Sequence, residues 1–162
     1  MKRLTIIGSG PAGYTAAFAA ARAGHAVTLV ESEAIGGTCL NSGCIPTKTF
    51  KSSADVLDKF RHMGEFAVTG SSQAAIDMAR LLERKNRVIR LLAQGLEKSC
   101  AQLNVAVARG RGRLLSAQQV LVTAKDGSTE RIDGDAVILA VGSRPLELPA
   151  LTTDKRHILT SD

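Results

Sequence analysis

Apolar positions along this 162-residue chain recur in short runs that suit strands and in three-and-four spacings that suit helices. Leu4, Ile6 and Ile7 make a first short strand, which stops at Gly8-Ser9-Gly10-Pro11-Ala12-Gly13. An alanine-rich helix over residues 12–23 follows, closed by Gly24. Residues 25–30 read as a second strand ending at Glu31. Residues 47–63 read as a helix with Phe50, Ala54, Leu57 and Phe60 or Arg61 near one face and Gly64 as its break. Residues 66–70 read as a short extended piece. A long helix then runs to about residue 103, with Ser71 or Ser72 as its cap. Its core face is Ile89, Leu92, Leu96, Cys100 and Leu103, and Gly95 marks a place for a bend. Strands follow at 105–108, 113–115, 119–123 and 130–132, with 125–128 as the turn between the last two. The continuous apolar run 136–141 suits a strand buried on both faces of a parallel sheet.

The opening segment is strand, Gly-x-Gly-x-x-Gly, helix, strand, acid, the context a dinucleotide-binding unit requires. Gly8 permits the tight turn, Gly10 lets backbone approach a pyrophosphate, and Gly13 lets helix pack closely on strand. Pro11 and Ala12 open the helix, whose N-terminus favours an anion. Glu31, 23 positions after Gly8, is placed to accept from a ribose hydroxyl. The bland alternative is a glycine-rich turn with no ligand. The motif by itself does not separate FAD from NAD. The elements predict an α/β fold of three layers, Rossmann-like, with a parallel central sheet and an attached β-meander.

Cys39 and Cys44 stand in a second glycine-rich stretch, residues 36–48. On one regular helix, residues five apart have Cα atoms roughly 8.7 Å apart, beyond the roughly 7 Å a disulfide tolerates. If the two pair, the backbone must bend, and Gly43 permits it. Pro46 suits the first turn of a helix. A helix start and nearby Lys48 would both stabilise a thiolate. The residues leave a second reading open, two buried free cysteines.

Gly36, Gly37, Thr38, Cys39, Asn41, Gly43, Cys44, Pro46 and Lys48 together resemble the redox signature of the FAD-dependent pyridine nucleotide–disulfide oxidoreductases. Leu40, Ile45 and Thr47 resemble the dihydrolipoamide dehydrogenase branch most; Ser42 departs from the usual valine. The resemblance implies a Cys39–Cys44 redox disulfide, with Cys44 nearer the flavin, Cys39 meeting the substrate, and Lys48 beside the flavin. It implies FAD contacts from Gly8, Gly10, Pro11, Ala12, Gly13, Glu31, Gly36, Gly37, Thr38, Cys39, Lys48, the backbone around Gly112, and Ala140 and Gly142 in the turn after the last strand. NAD(P) would be the second carrier, the substrate a small or protein-bound dithiol or disulfide, and the parent enzyme a homodimer. A mercuric- or glutathione-type reductase, or a flavin-binding module without turnover, shares these residues.

Composition narrows the picture further. Residues 1–145 read as an incomplete FAD-binding domain and 146–162 as a connector toward an NAD-binding domain. No second glycine fingerprint follows Gly13, and His25, His62 and His157 match no catalytic motif. The net charge of +6 raises nucleic acid as a partner, but the basic residues are dispersed and aromatics are only 3%, too few for base stacking. No apolar run is long enough to span a membrane. The start leads directly into a strand with no leader pattern, so the expected compartment is the cytoplasm, where a disulfide is more often catalytic than structural.

Overall fold

A computed structural model describes residues 1–70, 73–150 and 152–161. The parallel sheet contains β1 (Arg3–Ile7), β2 (Ala26–Glu31), β3 (Ala106–Arg109) and β7 (Ala136–Leu139) in the order β3-β2-β1-β7. The antiparallel meander is β4 (Arg111–Ser116), β5 (Gln119–Thr123) and β6 (Thr129–Asp133). The helices are α1 (Pro11–Arg22), α2 (Gly37–Asn41), α3 (Cys44–Arg61) and α4 (Met78–Gln102).

Strand alternation sends successive side chains to opposite faces, and both faces of the parallel sheet are covered. Ile6, Val27 and Leu29 join Ala17 of α1 and Cys100 of α4 in one buried cluster. Ile7 and Val30 join Val120 and Val122 of β5 in another. The layers are therefore helices, parallel sheet and meander, the three-layer α/β fold expected. Leu29 is wholly buried, so Leu29→Ala should cost on the order of 2–5 kcal/mol. Asp135 fastens β7 beside β1: its N–H donates to Arg3 O at 2.7 Å, and its carboxylate accepts Arg3 N–H at 2.7 Å.

Several expectations are corrected. Ser71 and Ser72 lie outside the described residues. The long helix begins only at Met78, where the Asp77 carboxylate accepts Arg80 N–H at 3.1 Å. It runs without a break through Gly95. Its inner face is Leu81, Ala93, Leu96 and Cys100, while Leu92 is exposed. Arg84 of this helix reaches back to α3, donating to Thr49 O at 3.0 Å and Ser52 Oγ at 3.2 Å. On α3 the inward positions are Pro46 and Thr49, with Ser53 and Leu57 half-buried, whereas Phe50 and Phe60 are exposed. That helix ends before Gly64, which sits inside a 3₁₀ turn (Met63–Phe66), and residues 66–70 form no strand. β7 is an edge strand among the described residues, with Ile138 and Leu139 exposed rather than buried on both faces.

Candidate active site

A groove of about 1250 Å³ opens at the C-terminal ends of β1, β2 and β7. Ligands of open α/β sheets lie outside the carboxyl ends of the strands, and this volume suits a long ligand rather than a compact one. Two glycines allow the tight turn at the base of the groove. Gly8 has φ +101°, and a Cβ there would lie 2.2 Å from Ala140 O. A Cβ on Gly13 would lie 1.8 Å from Gly8 O, so only glycine allows α1 to sit this close to β1. Gly10 caps α1 with no side-chain hydrogen bond, and Pro11 occupies the first turn. The first-turn N–H groups have no intrahelical acceptor.

Glu31 ends β2 at the groove wall. One carboxylate oxygen, Oε2, accepts Ser9 N–H at 3.0 Å and Ser9 Oγ–H at 2.6 Å. The other, Oε1, accepts Glu33 N–H at 2.8 Å. Burial raises the carboxyl's pKa, but the hydrogen bonds from the Ser9 hydroxyl and from the backbone of Glu33, Ser9 and Ser32 outweigh it, and the net shift is downward.

The bend required of a cysteine pair is present as a break between two helices. Gly36 opens α2 with φ +99°, and the Asn41 amide folds back onto Gly37 O at 2.9 Å and Ile35 O at 3.2 Å. At the break, a Cβ on Gly43 would approach Thr38 O to 3.0 Å. The chain then enters α3, where Thr47 Oγ1 donates to Gly43 O at 2.8 Å. Cys39 near the middle of α2 and Cys44 at the start of α3 form a disulfide, with sulfurs 2.50 Å and Cα atoms 4.7 Å apart. Cys44 is exposed and Cys39 half-buried. Cys100 is free and buried in the core as expected. Burial, and then the charge of Glu97, push its thiol pKa upward.

The groove brings together Gly8, Gly10, Pro11, Glu31, Gly37, Thr38, Cys39, Cys44, Gly112, Ala140 and Gly142. Gly13 and Gly36 are buried behind its surface, and Ala12 does not line it. Lys48 is exposed on α3 one turn beyond Cys44 and is not part of the lining. Ser9, Arg111 and Arg144 line the groove with no role foreseen from the sequence, and Asn41 of the cysteine signature lines it as well. Arg111 and Arg144 are within two residues of predicted glycines, and Ser9 stands between two, so adjacency was the available signal.

Residues 2–161 match the family described as pyridine nucleotide-disulphide oxidoreductase. The chain belongs to that family. It is 40% identical over 159 residues to the dihydrolipoyl dehydrogenase of Bacillus subtilis, covering 98% of this chain and 34% of that protein. Against the mitochondrial dihydrolipoyl dehydrogenase of Bos taurus the identity is 35%, over 98% of this chain and 31% of that one. Among solved structures, LpdA from Mycobacterium tuberculosis superposes with a TM-score of 0.87 at 28% identity, covering 98% of this chain and 36% of that one. The flavoprotein disulfide reductase RclA of Escherichia coli gives 0.71 at 28% identity, over 91% and 30%. The chain thus spans about a third of the length of these family members. Among the described residues, no helix is long and apolar enough to cross a membrane.

Proposed function

We propose that the groove holds FAD and that Cys39–Cys44 exchanges electrons with a dithiol substrate of the dihydrolipoyl type, as part of a homodimeric enzyme that also uses NAD(P). The observation that carries this reading is the disulfide's position in the wall of the same groove whose floor is the glycine turn. The residues fit FAD. Gly10 faces nothing nearer than Gly37 Cα at 3.9 Å from a built Cβ, so its backbone is open to close approach. The uncapped α1 N-terminus, with Arg111 and Arg144, suits a diphosphate, and Glu31 suits a ribose hydroxyl.

Bound flavin supplies the two-electron acceptor. The protein's own sulfurs do the exchange. A substrate thiolate attacks Cys39 Sγ, the Cys39–Cys44 bond breaks, and Cys44 leaves as a thiolate. Cys44 stands at the N-terminus of the 18-residue α3, where the helix dipole stabilises that thiolate. A lower-pKa thiol leaves faster, which makes Cys39 the sulfur to attack. The second substrate thiolate attacks the substrate sulfur of the mixed disulfide and expels Cys39. The substrate leaves as a disulfide, and its two electrons remain on the cysteine pair. Lys48, one turn along α3, adds positive charge to the same helix end.

The test is FAD titration of Cys39→Ser, followed by dihydrolipoamide oxidation by the complete enzyme carrying that change. Retained FAD affinity with loss of oxidation supports the reading. Comparable oxidation by the variant, or no FAD binding by the unmodified protein, overturns it.

A further inference from the structure

Ser9 is the one fully buried hydroxyl in the glycine turn, and it joins three segments. Its Oγ–H donates to Glu31 Oε2 at 2.6 Å, and its N–H donates to the same oxygen at 3.0 Å. Its Oγ accepts Gly36 N–H at 3.3 Å, and its carbonyl accepts that N–H at 3.1 Å. The hydroxyl is thus oriented by the loop that leads into the cysteine pair, and its proton can point only at Glu31. Glycine or alanine at this position would keep the turn and lose the hydroxyl.

We infer that Ser9 is a positioning residue that holds the Glu31 carboxylate turned toward the groove and ionised, and so sets the lowest pH at which the groove binds an adenosine diphosphate group. This rests on the reading of the groove as a dinucleotide site. Two hydrogen bonds to Oε2 and one to Oε1 fix the plane of the carboxylate and leave a lone pair on Oε1 for a ribose hydroxyl. An ionised carboxylate accepts more strongly than a neutral carboxyl. The charged groups on its loop and across its register are Glu33, Lys125 of the β5–β6 turn paired with Glu33 at 3.2 Å, and Arg109, while Arg111 and Arg144 line the same groove. Arg109, opposite Glu31 in the β2–β3 register, is committed to Glu97 at 2.6 Å. None of these charges is among the causes that hold Glu31 down; the lowering comes from hydrogen bonds, first of all the Ser9 hydroxyl, acting against burial.

The experiment is ADP binding by calorimetry from pH 7 downward, with the far-ultraviolet dichroism followed in parallel, on the unmodified chain, Ser9→Ala, Glu31→Gln and the double variant. Ser9→Ala should weaken ADP about fivefold at pH 7, the worth of one hydrogen bond. It should also move the acid midpoint of binding to higher pH. Protonation of the ADP phosphates is common to all four proteins and cancels in the comparison. The double variant should bind no more weakly than Glu31→Gln. A uniform loss at every pH with an unmoved midpoint, or additive losses in the double variant, would show a merely structural role and overturn the inference. Failure of the unmodified chain to bind ADP would overturn the dinucleotide reading itself.

Discussion

Two glycines three residues apart should fail in opposite ways when each is changed to alanine. A Cβ on Gly13 would sit 1.8 Å from Gly8 O and 2.9 Å from Gly8 C. Real Cβ contacts do not fall below 3.0 Å, so α1 must withdraw from β1 by about 1.2 Å. The obstructing atoms are backbone and have no alternative rotamer. Gly8 is itself held by its N–H to Val30 O at 2.8 Å. Overpacking of this kind costs about 3 kcal/mol, and alanine's better helix propensity returns about 1 kcal/mol. The net loss of about 2 kcal/mol lowers the Tm of a chain this size by roughly 4–8 °C. Gly10→Ala meets only Gly37 Cα at 3.9 Å, an ordinary contact, at φ −66°. Its stability should change by less than about 0.5 kcal/mol, while FAD affinity falls tenfold or more, about 1.4 kcal/mol, because the methyl occupies the approach to the phosphates. Thermal unfolding and quenching of FAD fluorescence read the two quantities separately. A Gly13→Ala protein as stable as the parent, or a Gly10→Ala protein with unchanged FAD affinity, would refute the reasoning.

Three further outcomes are expected. Thiol counting on unfolded protein should find one reactive thiol, Cys100, before reduction and three after; a bridge that includes Cys100 contradicts the structure. Glu31, half-buried, has its pKa lowered from 4.5, so the stability it contributes is fully present above that value and is lost as pH falls through the folded-state value. Glu31→Gln should therefore flatten the acid limb of the unfolding curve below about pH 4.5 and change little at pH 7 in its slope; an unchanged acid limb counts against it. Arg84→Ala removes two hydrogen bonds between α4 and α3 and should cost about 1–2 kcal/mol by urea unfolding, whereas Arg87→Ala should stay within about 0.5 kcal/mol.

The glycine turn, both flanking strands and the meander were legible because each depends on local conformational rules: φ at Gly8, strand alternation around Leu29 and Val30, and the Asp126-Gly127 turn. On α3 the inward face includes Leu57 as expected, but Thr49 and Ser53 take the places of Phe50 and Ala54. Phe50 and Phe60 are the more hydrophobic residues, yet the helix turns Thr49 inward, where its hydroxyl bonds Ile45 O at 2.8 Å. The start of α4 was placed early because serines and Asp77 are all good caps, and only the tertiary path of the chain selects one. For β7 the apolar run signalled a parallel strand, but which edge a strand occupies is not encoded in its own residues. Glu31 was identified as an acceptor, while its dependence on Ser9 arises from two loops meeting across a fold and leaves no periodic trace.

The disulfide closes a ring across only five residues of separation, at the junction of α2 and α3. Loop-closure entropy grows with the length of chain enclosed, and so short a ring is worth only about 2 kcal/mol in that accounting, against nearly 5 for a hundred-residue loop. The surrounding Gly36 turn, the Asn41 amide and the Thr47 hydroxyl hold the junction by bonds that do not involve sulfur. Opening the disulfide therefore releases little of the chain. In the redox role proposed for it, the junction would open and close while the sheet, the glycine turn and the groove beside it stay folded, so that reduction is thermodynamically insulated from global unfolding.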